Sequence, residues 1–273
     1  VSEEQAPRLP ELMLLMADRL RPDPTYGATK LNKALFFADH LHYKRHGAPV
    51  SGATYERFPR APAPRGLLAI RQGLVDRGEA TVEIRGYLGH VQERLLPLRA
   101  PRQEDFEETE LTLVAEVADA LRGHSHTSVL GWQLAEEREE IPYESAFLST
   151  STPNRAELDR GAKLAADLGL AGNGGARRRA LGGVVRTVAY ECRTDVVKGS
   201  YPRAGEVLAG IEWALARWPD GFHRIPGARL HLLKTEWPIP ALGTWFSLDD
   251  ETRCTVWVIE EILPYAPEED GTD

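Results

Sequence analysis

The sequence predicts a multidomain protein: a mainly α N-terminal domain with a β-hairpin, followed by a small α+β domain with an antiparallel sheet. Three observations predict it. Apolar residues recur at helical spacing through most of the first 170 positions. A glycine- and arginine-rich stretch, residues 169–183, has no apolar periodicity. Beyond it the pattern turns to mainly extended runs separated by turn residues. At 273 residues the chain is long enough for two cores. Its 42% apolar and 27% charged residues exclude a disordered or fibrous reading.

Residues 10–20 read as a first helix with Leu12, Leu15 and Met16 inward, stopped at Arg21-Pro22-Asp23-Pro24 because proline lacks an amide donor and disfavours helix before it. Residues 30–47 form a second helix. Leu31, Ala34, Leu35, Ala38 and Leu41 share one face, and Phe36 and Phe37 widen it until little of the first half is solvated. A third helix, residues 64–76, turns Leu67, Leu68, Leu74 and Val75 inward and closes at Gly78. Ala80, Val82 and Ile84 then alternate with Thr81, Glu83 and Arg85, and residues 87–98 pair back across Gly86 or Gly89 as a hairpin. Acidic residues 104–108 complement a helix N-terminus, and Leu113, Val114, Val117 and Leu121 supply that helix's buried face. After His124-Ser125-His126 a shorter helix holds Leu130, Trp132 and Leu134, and Thr152-Pro153 supplies the cap and first-turn proline of a helix through Leu168.

Residues 171–183 are read as a linker, which gives domains 1–170 and 184–273. In the second domain a strand is expected over 184–191, with Val185, Thr187 and Ala189 alternating against Arg186, Val188 and Tyr190. A helix opening at Pro202 carries Val207, Leu208, Ile211 and Leu215 and ends in the turn chemistry of Trp218-Pro219-Asp220-Gly221. Strands follow at 229–235, 242–248 and 253–262, the last two joined at Asp249-Asp250-Glu251.

Several chemistries find no footing. A net charge of -8 argues against nonspecific coating of nucleic acid, which needs a positive surface to release counterions. Cys192 and Cys254 are too few for a disulfide framework and lack metal-ligand spacing. There is no signal-peptide layout and no apolar run near the roughly 20 residues that span a bilayer, so a soluble, cytoplasmic protein is expected. His42 and His46, four apart with Asp39 a turn earlier, are half a metal site, but Lys44 and Arg45 oppose a divalent cation and no fourth ligand is evident. The glycines at 172, 174, 175, 182 and 183 follow neither dinucleotide nor Walker spacing. No Gly-x-Ser-x-Gly elbow occurs. Arg177-Arg178-Arg179 reads as a solvated linker charge run. Neither a metal nor a cofactor is expected.

The second helix, with Pro49-Val50-Ser51-Gly52-Ala53-Thr54-Tyr55, Arg60-Ala61-Pro62-Ala63-Pro64 and, downstream, Ser125-His126, Gly131-Trp132 and Ile141-Pro142-Tyr143-Glu144, resembles the Panacea family of SocA-like antitoxins. Its members open with a lysine-bearing, Leu/Phe-rich helix, then a Gly-x-Pro turn, an aromatic and a Gly-Pro-x-Pro element, whose glycine this chain lacks. The resemblance implies a domain that acts by binding a protein partner.

The C-terminal part, through Leu232-Leu233-Lys234-Thr235, Trp245-Phe246, the Asp-Asp turn and Val256-Trp257-Val258-Ile259-Glu260, is similar to the RelE/ParE toxin superfamily. That likeness implies messenger RNA cleavage on the ribosome, gyrase poisoning, or a scaffold with no toxic activity. RNA cleavage needs cations for the phosphorane and a donor or base at the 2′-hydroxyl, which makes His223, Arg224, Arg229 and Lys234 the candidate catalytic residues, supported by Arg203 and Arg217. RNA-cutting relatives commonly carry a basic residue ahead of the strand aromatic, where this chain has Gly243 and Thr244.

The expected function is therefore of toxin–antitoxin type: a Panacea-like domain binds a RelE/ParE-like domain, in cis or in trans, and occludes its surface. The acidic stretches 104–110 and 136–140 are the electrostatic candidates for that contact. The ribosome, RNA or gyrase is the expected target, with no membrane role, and ribonuclease-like activity in the C-terminal domain is left open. The alternative is a non-toxic adaptor, such as a SocA-like proteolytic adaptor, with an inactive C-terminal domain.

Overall fold

The computed structural model describes residues 8–87, 90–122, 135–149, 151–172, 183–236, 239–250 and 253–262. The chain divides into two compact units, Val1–Ala146 and Phe147–Asp273. This division falls ahead of the stretch 171–183 expected as a linker, of which residues 173–182 lie outside the described residues. So do His124, Ser125, His126, Leu130, Trp132, Leu134 and Arg177-Arg178-Arg179.

In the N-terminal unit, α1 (Leu9–Leu20) is buried almost all round, with Leu12 to Ala17 inaccessible as well as Leu9 and Leu20. Helix α2 (Ala28–His46) buries Leu31, Ala34, Leu35, Phe36, Phe37 and Ala38 and ends where Gly47 turns left-handed at φ 84°, a conformation glycine adopts without Cβ strain. Each large side chain so buried contributes about 1.5–3 kcal/mol, and α2 packs on both α1 and α4 (Glu108–Leu121). The face expected for α4, Leu113, Val114, Val117 and Leu121, is the buried one, and Glu107 and Glu110 close a capping box at its start.

Three short strands flank α2 as an antiparallel sheet in the order β2-β1-β5: β1 (Tyr55–Arg57), β2 (Pro62–Pro64) and β5 (Glu140–Ile141). The Pro-Ala-Pro element is thus a buried edge strand, a place where missing amide donors cost least. Consequently α3 begins late, at Leu67 (Leu67–Asp76), after Gly66 at φ 73°, and its core contacts are Ile70 and Leu74. Leu68, expected inward, is exposed, because that late start points the Ile70–Leu74 stripe at the body instead. The hairpin strands β3 (Ala80–Tyr87) and β4 (His90–Pro97) pair in full register from Ala80–Pro97 to Tyr87–His90, and the expected reversal at Gly86 or Gly89 is corrected for Gly86, which pairs with Val91 inside the ladder, while Gly89 lies outside the described residues. Its base packs on α1 and α3, whereas Ile84 and Val91 near the tip are 64% and 76% exposed.

The C-terminal unit holds a five-stranded sheet ordered β6-β10-β9-β8-β7, with β6 (Val184–Arg186), β7 (His223–Arg224), β8 (Leu230–Lys234), β9 (Leu242–Asp250) and β10 (Arg253–Glu261). All pairings are antiparallel except β6 with β10. The strand expected over 184–191 is cut short. Thr187 accepts a hydrogen bond from the Tyr190 amide and caps α6 (Val188–Ser200), whose Tyr190, Thr194 and Val197 are buried at helical spacing. A helical stripe overrode the local alternation. Helix α7 (Ala204–Arg217) buries Val207, Leu208, Ile211 and Leu215 as expected.

Helix α5 (Arg155–Asp167) belongs to this unit. Its N-cap is Asn154, not Thr152: Asn154 accepts from the Glu157 amide while the Glu157 carboxylate accepts from the Asn154 amide. Leu164 and Ala165 join Leu170, Ile225, Ala228, Leu230, Leu232 and Trp245 in one apolar cluster. The sheet therefore has helix on both faces, α5 on the side of Leu230, Leu232 and Trp245, and α6 against β10 on the other. Among the described residues no helix is long and apolar enough to cross a membrane.

Candidate functional site

The polar groups buried in the N-terminal unit hold its helices to its loops. Lys30 donates to Asp23 at 2.6 Å, to Thr25, and to the Leu121 carbonyl at 2.9 Å, tying the start of α2 to the end of α4. Burial pushes the Asp23 carboxyl up, but the Lys30 and Thr25 bonds outweigh it and hold it below its ordinary value. Asp39 accepts from the Ser51 amide, the Ser51 hydroxyl and the Tyr55 hydroxyl at 2.5–2.7 Å. Burial raises its pKa against those donors. It faces away from the metal arrangement considered above, since His42 donates Nδ1–H to the Ala48 carbonyl and lies against the His46 ring. Among the described residues no group of three or more His, Cys, Asp or Glu side chains is placed to hold a metal ion.

His40 stacks on Phe36 with ring centroids 3.7 Å apart and donates Nδ1–H to the Phe36 carbonyl, and burial pushes its pKa down to about 3. It is a core histidine. A cavity of about 20 Å³ between α1, α2, α3 and β4, lined by Met13, Leu31, Leu67, Arg71, Glu93 and Leu95, has room for one water at most. The acidic stretches are partly used internally: Glu110 takes a two-pronged bond from Arg8 at 2.5–2.8 Å, and Glu140 pairs with Arg65 at 3.3 Å.

Of the four candidate catalytic residues, His223, Arg224 and Lys234 sit on strands of the C-terminal sheet and Arg229 just ahead of one, and they do not converge. Strand alternation and the pairing of His223 with Leu232 put His223, Leu232 and Lys234 on the face covered by α5. Arg224 pairs with His231 and so lies on the opposite face, where its Nε donates to the Ala228 carbonyl at 2.8 Å. Arg229 precedes β8 and donates to the Gly169 carbonyl at 3.1 Å. Arg203 pairs with Glu206 at 2.6 Å and lies over Phe147, and Arg217 lies over Trp213.

Lys234 is the informative member. Its ammonium is bonded to Glu157 of α5 at 3.1 Å and to the Thr152 carbonyl at 3.2 Å, with side chains only 10% and 7% exposed for Lys234 and Glu157. Further along the same face, Arg160 of α5 makes a two-pronged bond to Glu260 at 2.8–2.9 Å, and Glu260 also accepts from the Trp245 indole at 2.8 Å. Gly161 follows Arg160 on the same helix, one turn beyond Glu157. A Cβ there would stand 2.7 Å from Trp245 and 2.8 Å from Ile225, so glycine is required for the helix to lie this close.

Glu157, Arg160, Gly161 and Glu260 escaped the sequence reading, although Asn154-x-x-Glu157 carries a capping-box signal and a mid-helix glycine marks a close approach. His231 was missed as well. It stacks on Phe246 at 5.3 Å, and burial lowers its pKa to about 4. The positions where a basic residue was sought are closed: a Cβ on Gly243 would meet Ile262 at 2.7 Å, and Thr244 is fully buried on the other face.

Residues 31–134 match the family model described as antitoxin SocA-like, Panacea domain. The N-terminal unit thus carries a Panacea domain of antitoxin type, for which the family suggests a protein partner. No curated protein and no solved structure matches the chain.

Proposed function

We propose that the chain is a toxin–antitoxin-type protein in which the Panacea half neutralises a RelE/ParE-like C-terminal domain by occluding its surface. The functional boundary is placed near residue 170, so that α5 counts with the antitoxin half. The observation that carries the reading is the Panacea match over residues 31–134 in a chain whose C-terminal unit has its own core. The element order of that unit after α5, a strand, two helices and an antiparallel run of four strands, supports the toxin assignment. Contact is sufficient for neutralisation, which fits an N-terminal unit whose buried Lys30 and Asp39 serve to tie its own segments together.

Expression of residues 171–273 alone in a bacterial host tests the reading. Growth arrest is expected, and normal growth with soluble protein contradicts it.

One observation favours the adaptor alternative. Gly243 and Thr244 are packed so closely that neither position has room for a basic side chain reaching solvent. An RNA-cleavage and translation assay separates the two, since a C-terminal domain inert in both and harmless in cells fits only the adaptor.

A further inference from the structure

We propose that α5 is the neutralising element of this chain: a helical plug held in cis on the sheet face through which the C-terminal unit acts. The inference rests on the toxin–antitoxin reading and names the segment that does the occluding.

The charges of α5 and of the sheet face match. The covered face presents Lys234 and Glu260, and α5 answers each with its opposite, Glu157 and Arg160, three positions apart on the helix. The Glu157 carboxylate occupies the place that an anionic group of a target would take on Lys234. His223 and Lys234, the two sequence candidates that do share a face, share this one. The two surfaces also fit in shape. Gly161 lets α5 approach Trp245 and Ile225 at a distance closed to every other residue, so a single substitution acts as a wedge under the whole helix.

The segment is attached to the sheet at its two ends. Among the described residues it is held on one side by the isolated bridge Leu148–Thr235, with the bonds Ser149 N–H to Lys234 O, Glu236 N–H to Phe147 O, Ser149 hydroxyl to Glu236 and Lys234 to the Thr152 carbonyl. On the other side stand the isolated bridge Ala171–Ala228, the bonds Gly172 N–H to Gly227 O and Arg229 N–H to Leu170 O, and the Arg229 side chain on the Gly169 carbonyl. No strand ladder binds α5, and the five strands remain hydrogen-bonded to one another without it. A segment attached in this way can open as a unit of its own while the sheet stays folded.

The test uses the full chain carrying Gly161→Leu, with two chemical readouts and one cellular readout. Acetylation of the Lys234 amine, followed by mass spectrometry, is expected to rise roughly tenfold over the parent chain as α5 opens locally. Alkylation of the fully buried Cys254 is expected to stay at the parent level, showing that the sheet is folded. Cells making Gly161→Leu are expected to stop growing, and the double variant Gly161→Leu with Lys234→Ala is expected to restore growth. If Lys234 opens and cells still grow while residues 171–273 alone arrest them, neutralisation lies elsewhere and the plug is wrong, though the toxin–antitoxin reading stands. If the fragment and the variant are both harmless, the reading itself fails. Should Gly161→Leu expose Cys254, the decision passes to Glu157→Arg, which sets like charges face to face at Lys234 without a wedge. Lys234 protected in Glu157→Arg with Cys254 also protected means that α5 is a permanent part of the core, and the proposal is overturned.

Discussion

The two units bury charge to opposite ends. In the N-terminal unit Lys30–Asp23, Arg99–Glu11 and Arg8–Glu110 fasten helices to the connections beside them, and no polar face is sealed by them. In the C-terminal unit Lys234–Glu157 fastens a helix onto a sheet face that otherwise presents a lysine, a histidine and a tryptophan. The difference teaches that a buried ion pair acquires a functional meaning only from what it covers, since on stability grounds such pairs are close to neutral against apolar replacements.

The largest effect that sharpens this contrast comes from removing one partner of each pair. Lys30→Met leaves Asp23 charged and buried and is expected to destabilise the N-terminal unit by about 3–5 kcal/mol. Lys234→Met leaves Glu157 with its capping bonds to Asn154, and about 1–3 kcal/mol is expected for the C-terminal unit. Denaturant melts followed by hydrogen exchange in each unit measure both, and equal losses would remove the contrast.

Acid separates the units next. His40 and His231 are kept neutral by burial, with folded values of about 3 and about 4 against 6.5 unfolded. Each unit is therefore fully favoured above pH 6.5 and loses up to about 1.4 kcal/mol per pH unit below it, because only the unfolded chain takes the proton. The His231 contribution levels off near pH 4. In the N-terminal unit the decline continues, because Glu11, Asp23 and Glu110 have lowered folded values, and their stabilisation disappears as pH falls through those values. The raised value of Asp39 has the opposite sign and partly offsets this. Hydrogen exchange resolved by unit between pH 7 and pH 3 checks the order, and earlier loss of the C-terminal unit below pH 4 would contradict it.

A smaller effect is expected from Asn154→Ala, which removes the cap of α5 at a cost of about 1 kcal/mol and raises Lys234 acetylation. Arg155→Ala, which breaks only the exposed pair with Asp159, is expected to leave melting and labelling unchanged.

The sequence reading succeeded where one periodicity ruled a whole element, as in α2 with its Leu31–Phe36–Phe37 stripe, in α4 and α7, and in the β8–β10 meander. It failed at residues 188–191, where four alternating positions looked extended while Tyr190, Thr194 and Val197 recruited them into α6. Local alternation over a few residues loses to a stripe that continues beyond it. The parallel pairing of β6 with β10 was illegible because it joins residues some 70 positions apart, and register of that kind is set by packing.

The candidate site was half legible. Lys234 and His223 were chosen for their chemistry and do share a face, yet Arg224 and Arg229 were chosen the same way and point elsewhere. Strand parity would have separated His223 from Arg224, but β7 has only two residues and carries no visible alternation. The partner of Lys234 comes from 77 positions upstream, on a helix that the sequence assigned to the other domain.

The account stands most directly on whether α5 opens separately from the sheet beneath it. Native-state hydrogen exchange of the full chain at rising denaturant measures this. Amides of Arg155–Asp167 are expected to exchange through an opening that precedes that of Leu230–Lys234 and Leu242–Asp250, with Lys234 becoming reactive in the same step. Exchange of all three segments only in the global transition would contradict the account.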